Sequence, residues 1–254
     1  MKNYLAFLKK ELIEYSRTYK LLIMLMVFAV FGITNPLMAK LLPELIGSLA
    51  TDGITMIVPE ATAIDAWTQF FKNATQIGLI VTVVVFSGVL SSEISKGTLI
   101  IMLTKGLSRT TVILTKFTGM VLIWTASLAL CFGLTYGYTM YLFPGGKMVN
   151  LLFSVFCLWL FGVFLLAVLI ISAALSKSNY VCLLFTGGAA VLCMLINIIP
   201  AAQRYNPISL TGDPIGLITG AAEPSSLYEA VCVAGVLSVI FVALAVAVFR
   251  KKQL

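Results

Sequence analysis

Six stretches of this chain, residues 21–39, 74–91, 117–143, 151–175, 181–200 and 230–249, run for 18 to 27 residues without a single Asp, Glu, Lys or Arg. That feature decides the solvent. The hydrocarbon core of a bilayer is about 30 Å thick and a helix rises about 1.5 Å per residue, so about 20 apolar residues cross it. Open strands would leave backbone groups unpaired in lipid, so each run is expected to be a helix. The chain is 60% hydrophobic and 11% charged, whereas a soluble domain carries roughly 25% charged residues. No aqueous surface, disordered coil, collagen or coiled coil is built from so few charges. The expected fold class is an all-α integral membrane protein, a single domain over residues 1–254 with six transmembrane helices.

All 27 charged residues lie between or beyond the runs, and their placement orients the chain. With the N-terminus inside, segments 1–20, 92–116, 176–180 and 250–254 hold 13 of the 17 basic residues. The outer segments hold Lys40, Lys72, Lys147 and Arg204. The positive-inside rule then predicts both termini in the cytoplasm. Seven of the ten acidic residues fall outside. The net charge of +7 therefore reflects topology and the anionic headgroups of the lipid bilayer, not nucleic acid. The first run sits behind 20 residues and lacks a small-x-small cleavage pattern, so it is expected to stay as a signal anchor.

Missing residue types exclude further chemistry. There is no His, hence no His-Glu zinc site, Ser-His dyad or imidazole proton relay, and no metal site is expected. Cys131, Cys157, Cys182, Cys193 and Cys232 form no CxxC pair and fall inside apolar runs; buried structural thiols are the expectation. No GxxxxGK[ST] loop is present, so the chain has no phosphate cradle of its own.

Three polar segments carry more information. In residues 3–19, Leu5, Leu8, Leu12, Tyr15 and Tyr19 recur at steps of three and four, predicting an amphipathic helix that lies in the membrane interface. Residues 41–73 hold Trp67, Phe70 and Phe71, expected to fix a short interfacial helix ahead of the second span. Segment 201–229 is rich in Pro and Gly and predicts a re-entrant or surface-lying helix pair. Gly133 and Gly137 form a GxxxG pair suited to helix–helix packing. Asn35 and Asn197 are expected to satisfy local backbone near span ends.

The loop 92–116 is the most informative. A short apolar stretch, 99–103, interrupts polar residues; it is too short to span, so it dips into the interface or docks on a partner. Gly97 and Gly106 permit tight turns and Ser108 is placed to N-cap the next helix. The pattern Glu93, Gly97, Thr98, Leu99, Leu103, Thr104, Lys105, Ser108, Arg109 and Lys116 resembles the signature of type-2 ATP-binding cassette (ABC) exporter permeases. Gly106 stands where that family commonly has Pro. The interfacial N-terminal helix, the six spans and the segment from Tyr205 to Leu210 are also similar to that family.

The resemblance implies a coupling helix in the loop after span two, seated in a groove on a separate ATPase subunit, with the elbow helix 1–20 at the same contact. Glu93, Gly97, Thr98, Leu99, Leu103 and Arg109 are then the ATPase-coupling residues. It also implies two copies of an ABC ATPase subunit, a second permease chain as homodimer or heterodimer, and ATP with Mg on the partner rather than here. The chain itself would be a transport subunit and not an enzyme, in the plasma membrane of a bacterial cell. Its neutral spans point to a hydrophobic or amphipathic substrate. The other readings are an ion-coupled secondary transporter or channel, and a non-catalytic membrane immunity or assembly protein. The transporter class usually places charge within its spans.

Overall fold

The computed structural model describes residues 2–49, 61–95, 97–99, 104, 108–146, 148–176 and 178–252. Among them every regular element is helical and no strand occurs. The helices are α1 (Lys2–Arg17), α2 (Lys20–Leu49), α3 (Ala63–Asn73), α4 (Leu79–Phe86), α5 (Ser91–Ser95), α6 (Arg109–Leu142), α7 (Leu151–Leu175), α8 (Asn179–Ile196), α9 (Pro200–Gln203), α10 (Pro214–Thr219) and α11 (Tyr228–Lys251). Six helical stretches are long and apolar enough to cross a membrane: Lys20–Pro43, Ala63–Ile94, Arg109–Leu142, Leu151–Leu175, Asn179–Ile196 and Pro224–Lys251. They correspond one to one with the six charge-free runs, which makes the chain compatible with a multi-pass membrane protein.

α7 is the hub. Most of its side chains are buried, and it packs against α6, α8 and α11, while α2 and α6 form the other half. The two halves meet at Trp124. Its ring lies edge-on to Phe28 with centroids 5.6 Å apart, and its indole nitrogen donates to the Trp159 carbonyl at 3.1 Å. Gly162 makes room for it, since a Cβ there would stand 2.5 Å from Trp124 Cζ2. A small residue is required because the aromatic ring cannot deform. By contrast Gly133 and Gly137 face open space: nothing lies within 4 Å of a Cβ built on either. The GxxxG pair therefore serves no packing within the described residues of this chain.

The second span begins eleven residues earlier than its charge-free run. α3 enters at Thr62, whose backbone N–H and hydroxyl both donate to Asp65 Oδ2 at 2.8 Å. Asp65 thus serves the helix start, where the macrodipole also favours a carboxylate. Trp67, Phe70 and Phe71 are buried rather than displayed at an interface, with Trp67 packed against Phe132 of α6. α3 joins α4 through a five-residue π-helical turn, Ala74–Gly78. Asn73 donates to Asn35 Oδ1 at 2.7 Å just before it, and Gly78 receives the tip of Phe28. Asn35 therefore ties two spans together instead of serving its own backbone. π turns are rare and often sit at functional places.

Residues 200–227 form four short helical pieces: α9, the 3₁₀ turn Pro207–Thr211, α10 and the 3₁₀ turn Pro224–Leu227. Ile208 and Thr211 line the same cavity as Phe161 and Leu165, ten and fourteen residues into α7. The segment thus descends along α7 rather than looping free. Asn206 pins it, donating to the Cys193 carbonyl at 2.6 Å and to Asn197 Oδ1 at 3.3 Å. In α10, Asp213 accepts from Gly216 N at 2.7 Å and Gly220 ends the helix at φ +79. Of the cysteines, Cys131, Cys157 and Cys182 are buried and Cys193 half-buried, but Cys232 is exposed on α11.

Candidate functional site

Where the N-terminal helix meets the bundle, four charges alternate around a closed ring. Glu11 Oε2 lies 3.0 Å from Lys116 Nζ, and Glu11 Oε1 lies 3.1 Å from Lys10 Nζ. Lys10 reaches Glu93 Oε1 at 2.9 Å, and Glu93 Oε2 returns to Lys116 at 3.0 Å. The ring joins α1, α5 and α6, elements 83 and 105 residues apart in sequence. Glu11, Glu93 and Lys116 are almost wholly buried, with side chains 0%, 4% and 2% exposed. Such a set survives burial only because each charge has two opposite neighbours.

The surroundings complete it. Lys10 also pairs with Glu14, one turn further on. Burial by itself would lower the Lys10 ammonium, but Glu14 and Glu93 outweigh it and hold the group above its ordinary value of 10.5. Tyr15 packs its ring edge-on against Phe86 at 5.6 Å and close over Gly119. Burial pushes its phenol well above 10.0, and the charges of Glu11 and Glu93 push the same way. Carboxylate oxygens of Glu11, Glu14 and Glu93 come within 4.8 Å of one another. The spaces between them are filled by lysine nitrogens, so the cluster is a salt-bridge ring and not a cation cage.

This geometry gives α1 a second side. Phe7, Glu11 and Tyr15 are the line buried against the bundle, while Leu5, and Tyr19 just past the helix, are exposed, as side chains turned toward the acyl boundary are. The buried face is set by Glu11 reaching Lys116. Lys10 and Glu11 escaped the sequence reading. Their one local signal is a carboxylate four residues from both Phe7 and Tyr15, on the same side of the helix.

The residues expected at the coupling loop are divided by the structure. Glu93 is in the ring. Gly97 turns the chain at φ +68, with its N–H bonded to the Ile94 carbonyl at 3.1 Å. Thr98 donates back to the Glu93 carbonyl at 3.3 Å, and Leu99 is fully buried. These four adjoin one another. Leu103 lies outside the described residues. Arg109 has other work: its guanidinium donates to the carbonyls of Phe249, Arg250 and Lys252 at 3.1, 3.0 and 2.5 Å, closing the C-terminus of α11. Lys252 in turn donates to Ala174 and Ser176 carbonyls at 2.8 and 2.7 Å. Cations at helix C-termini meet both the free carbonyls and the negative end of the dipole. Ser108 caps α6, accepting from Thr111 N at 3.1 Å.

At the level of the π turn, a groove of about 500 Å³ opens between the second span, α7 and α8. Its walls include Leu79, Val83, Phe161 and Leu183, with Thr75 and Gln76 from the π turn adding polar groups. That volume falls within the roughly 300–1,000 Å³ of small-molecule sites. No protein-family model matches the chain, and no curated protein matches it.

Proposed function

We propose that this chain is the membrane-spanning permease subunit of an ATP-driven ABC exporter. It works in a bacterial plasma membrane with both termini cytoplasmic, alongside a second permease chain and two copies of a separate ATPase subunit. The observation that carries this reading is the closed salt-bridge ring, placed directly before the Gly97 turn. A force applied to the loop after span two enters α5, passes through Glu93 to Lys116 on α6, and through Lys10 and Glu11 to α1. The loop therefore has a stiff connection to a spanning helix and to the interfacial helix, as a part that receives a push from outside the membrane needs. Glu93, Gly97, Thr98 and Leu99 serve as the base of that lever, and Arg109 acts by holding the third and sixth spans together.

The charge arrangement favours this over an ion-coupled carrier. The two carboxylates buried most deeply at the ring each have two lysine partners, leaving neither free to take up a coupling ion. The apolar groove with its few threonine and glutamine groups suits a hydrophobic or amphipathic substrate. The deciding experiment is purification in mild detergent from the native host, followed by ATPase assay and identification of co-purifying subunits. The expected result is a nucleotide-hydrolysing partner whose coupling, measured as ATP-driven substrate movement in vesicles, is reduced by Gly97→Pro. A chain that purifies alone and moves substrate down an ion gradient without ATP would sink the proposal.

A further inference from the structure

Two polar side chains in the groove beside the second span have no partner, and the backbone explains why. Thr75, Gln76, Thr186 and Thr211 are the polar residues of its lining. The Thr186 and Thr211 hydroxyls are occupied, donating to the Cys182 carbonyl at 2.9 Å and the Ile208 carbonyl at 3.0 Å. Thr75 and Gln76 make no hydrogen bond among the described residues. Threonines elsewhere return the hydroxyl to the carbonyl four residues back, as Thr68, Thr82 and Thr125 do at 2.8, 2.7 and 2.7 Å. Thr75 stands in the π turn, where the Phe71 carbonyl already accepts from Ala74 N. The turn therefore releases the hydroxyl. Both residues lie inside a charge-free run, with Gln76 about 6 Å of helix beyond Lys72. An unpartnered carboxamide is costly in that surrounding.

We infer that Thr75 and Gln76 read a peptide backbone, and that the groove takes an apolar peptide in extended form. Gln76 offers two N–H donors and a carbonyl acceptor in one plane, and Thr75 a hydroxyl that donates or accepts. The N–H and C=O of one residue in an extended chain point to the same side, as in a hydrogen-bonded pair of an antiparallel ladder. A carboxamide meets both at once. Hydrocarbon meets neither, and the ester oxygens of a lipid accept without donating, which leaves Gln76 Oε1 unpaired. The walls, with Leu79, Val83, Phe161 and Leu183 among them, receive apolar side chains from alternate positions of such a peptide. The inference rests on the proposed export function only in making that peptide the cargo; binding itself requires neither ATP nor a partner subunit.

The test uses the full chain in vesicles without ATP. The probe is acetyl-Leu-photoleucine-Leu methylamide, whose diazirine labels what it touches. It is compared with an analogue in which ester oxygens replace the backbone N–H groups, and adducts are mapped by peptide mass spectrometry. The expected result is saturable labelling in residues 79–84, 161–165 and 183–190, with the amide half-saturating at about five- to tenfold lower concentration than the ester, the worth of one hydrogen bond. Gln76→Leu with Thr75→Val removes that difference, while Thr68→Val, outside the groove, keeps it. Equal labelling by amide and ester in the wild-type chain would overturn the assignment, and that comparison decides whether or not the variants fold. So would an undiminished amide preference in the double variant. A Gln76→Cys chain in a Cys232→Ser background that forms disulfide-linked dimers would assign the carboxamide to a second copy instead and overturn it too. A chain that binds the peptide but never couples to ATP fails the permease reading alone; one that moves other cargo with ATP and does not tell amide from ester fails this inference alone.

Discussion

Replacing Lys116 by Met probes the ring at its most buried cation. The two side chains are similar in length, so the packing is preserved while the charge is lost. Glu11 and Glu93 each then lose the partner at 3.0 Å. Lys10 remains, at 3.1 and 2.9 Å, but it is 36% exposed and screened by solvent. Breaking a buried pair by removing one member costs about 3–5 kcal/mol, which for a chain of this length lowers the melting temperature by on the order of 10 °C. Buried cysteines provide the assay. A thiol-reactive fluorophore labels Cys131, Cys157 and Cys182 only as the chain opens, once Cys232→Ser and Cys193→Ser have removed the exposed and the half-buried thiol. Adding Glu11→Gln and Glu93→Gln to Lys116→Met removes the uncompensated charges and restores most of the loss, because a neutral buried set is often as stable as an ionic one. If Lys116→Met melts within about 2 °C of the parent, or the triple variant melts no higher than the single one, the reasoning fails.

Three further outcomes are expected. Gly162→Ala drives a Cβ to 2.5 Å from Trp124 Cζ2; such overpacking costs about 1–3 kcal/mol, and tryptophan fluorescence in the folded protein shifts with it. Asn73→Ala deletes the bond to Asn35 and lowers stability by about 0.6–1.7 kcal/mol, the range of polar contacts between spans, read by the same thiol assay. Raising pH destabilises the chain in a definite window. Lys10 and Tyr15 both have folded values above their ordinary 10.5 and 10.0, so the folded state keeps protons that the unfolded state releases. Their contribution is complete below about pH 10 and is lost as pH rises beyond it. A melting temperature that stays flat from pH 9 to 11.5 would contradict this.

What the sequence shows well is where hydrocarbon begins and ends, because that information is local. Six charge-free runs became six helices, Ser108 became a cap and Gly97 a left-handed turn. The start of the second span was misplaced for a physical reason. Counting charges excludes Asp65 and Lys72, yet Asp65 is occupied by Thr62 at the helix start and Lys72 points to the outside. The same kind of count finds the apolar stripe of α1 and overlooks Glu11, on the side that packs against the bundle. Hydropathy assigns a carboxylate to water, and the lysine that makes its burial tolerable stands 105 residues away. Pairings at that separation leave no periodic trace.

The ring also bears on which parts of the chain move together. A buried ion pair adds little net stability over an apolar substitute, so its value here lies in register. Leucines on α1 could slide one turn along α6 and find equivalent contacts. Glu11 cannot, because a one-turn shift carries it about 5.4 Å from Lys116 and leaves two charges unpaired in a dry site. Lys10 and Glu93 impose the same condition on α5. Each helix is thus fixed along its axis by charges that accept one alignment, and α1, α5 and α6 respond to a load as a single body. α8 is different. Among its residues only Cys182 and Thr186 are buried, and a groove lies along each side of it. Relative motion in this fold is therefore expected between α8 and the rest, which puts the yielding element beside the apolar groove and the rigid element beside the loop. On the proposed permease function, a cysteine cross-link between Gly88 and Asn179, whose side chain lies against Gly88, blocks transport while leaving the melting temperature unchanged or higher; continued transport through the cross-linked chain would refute this division.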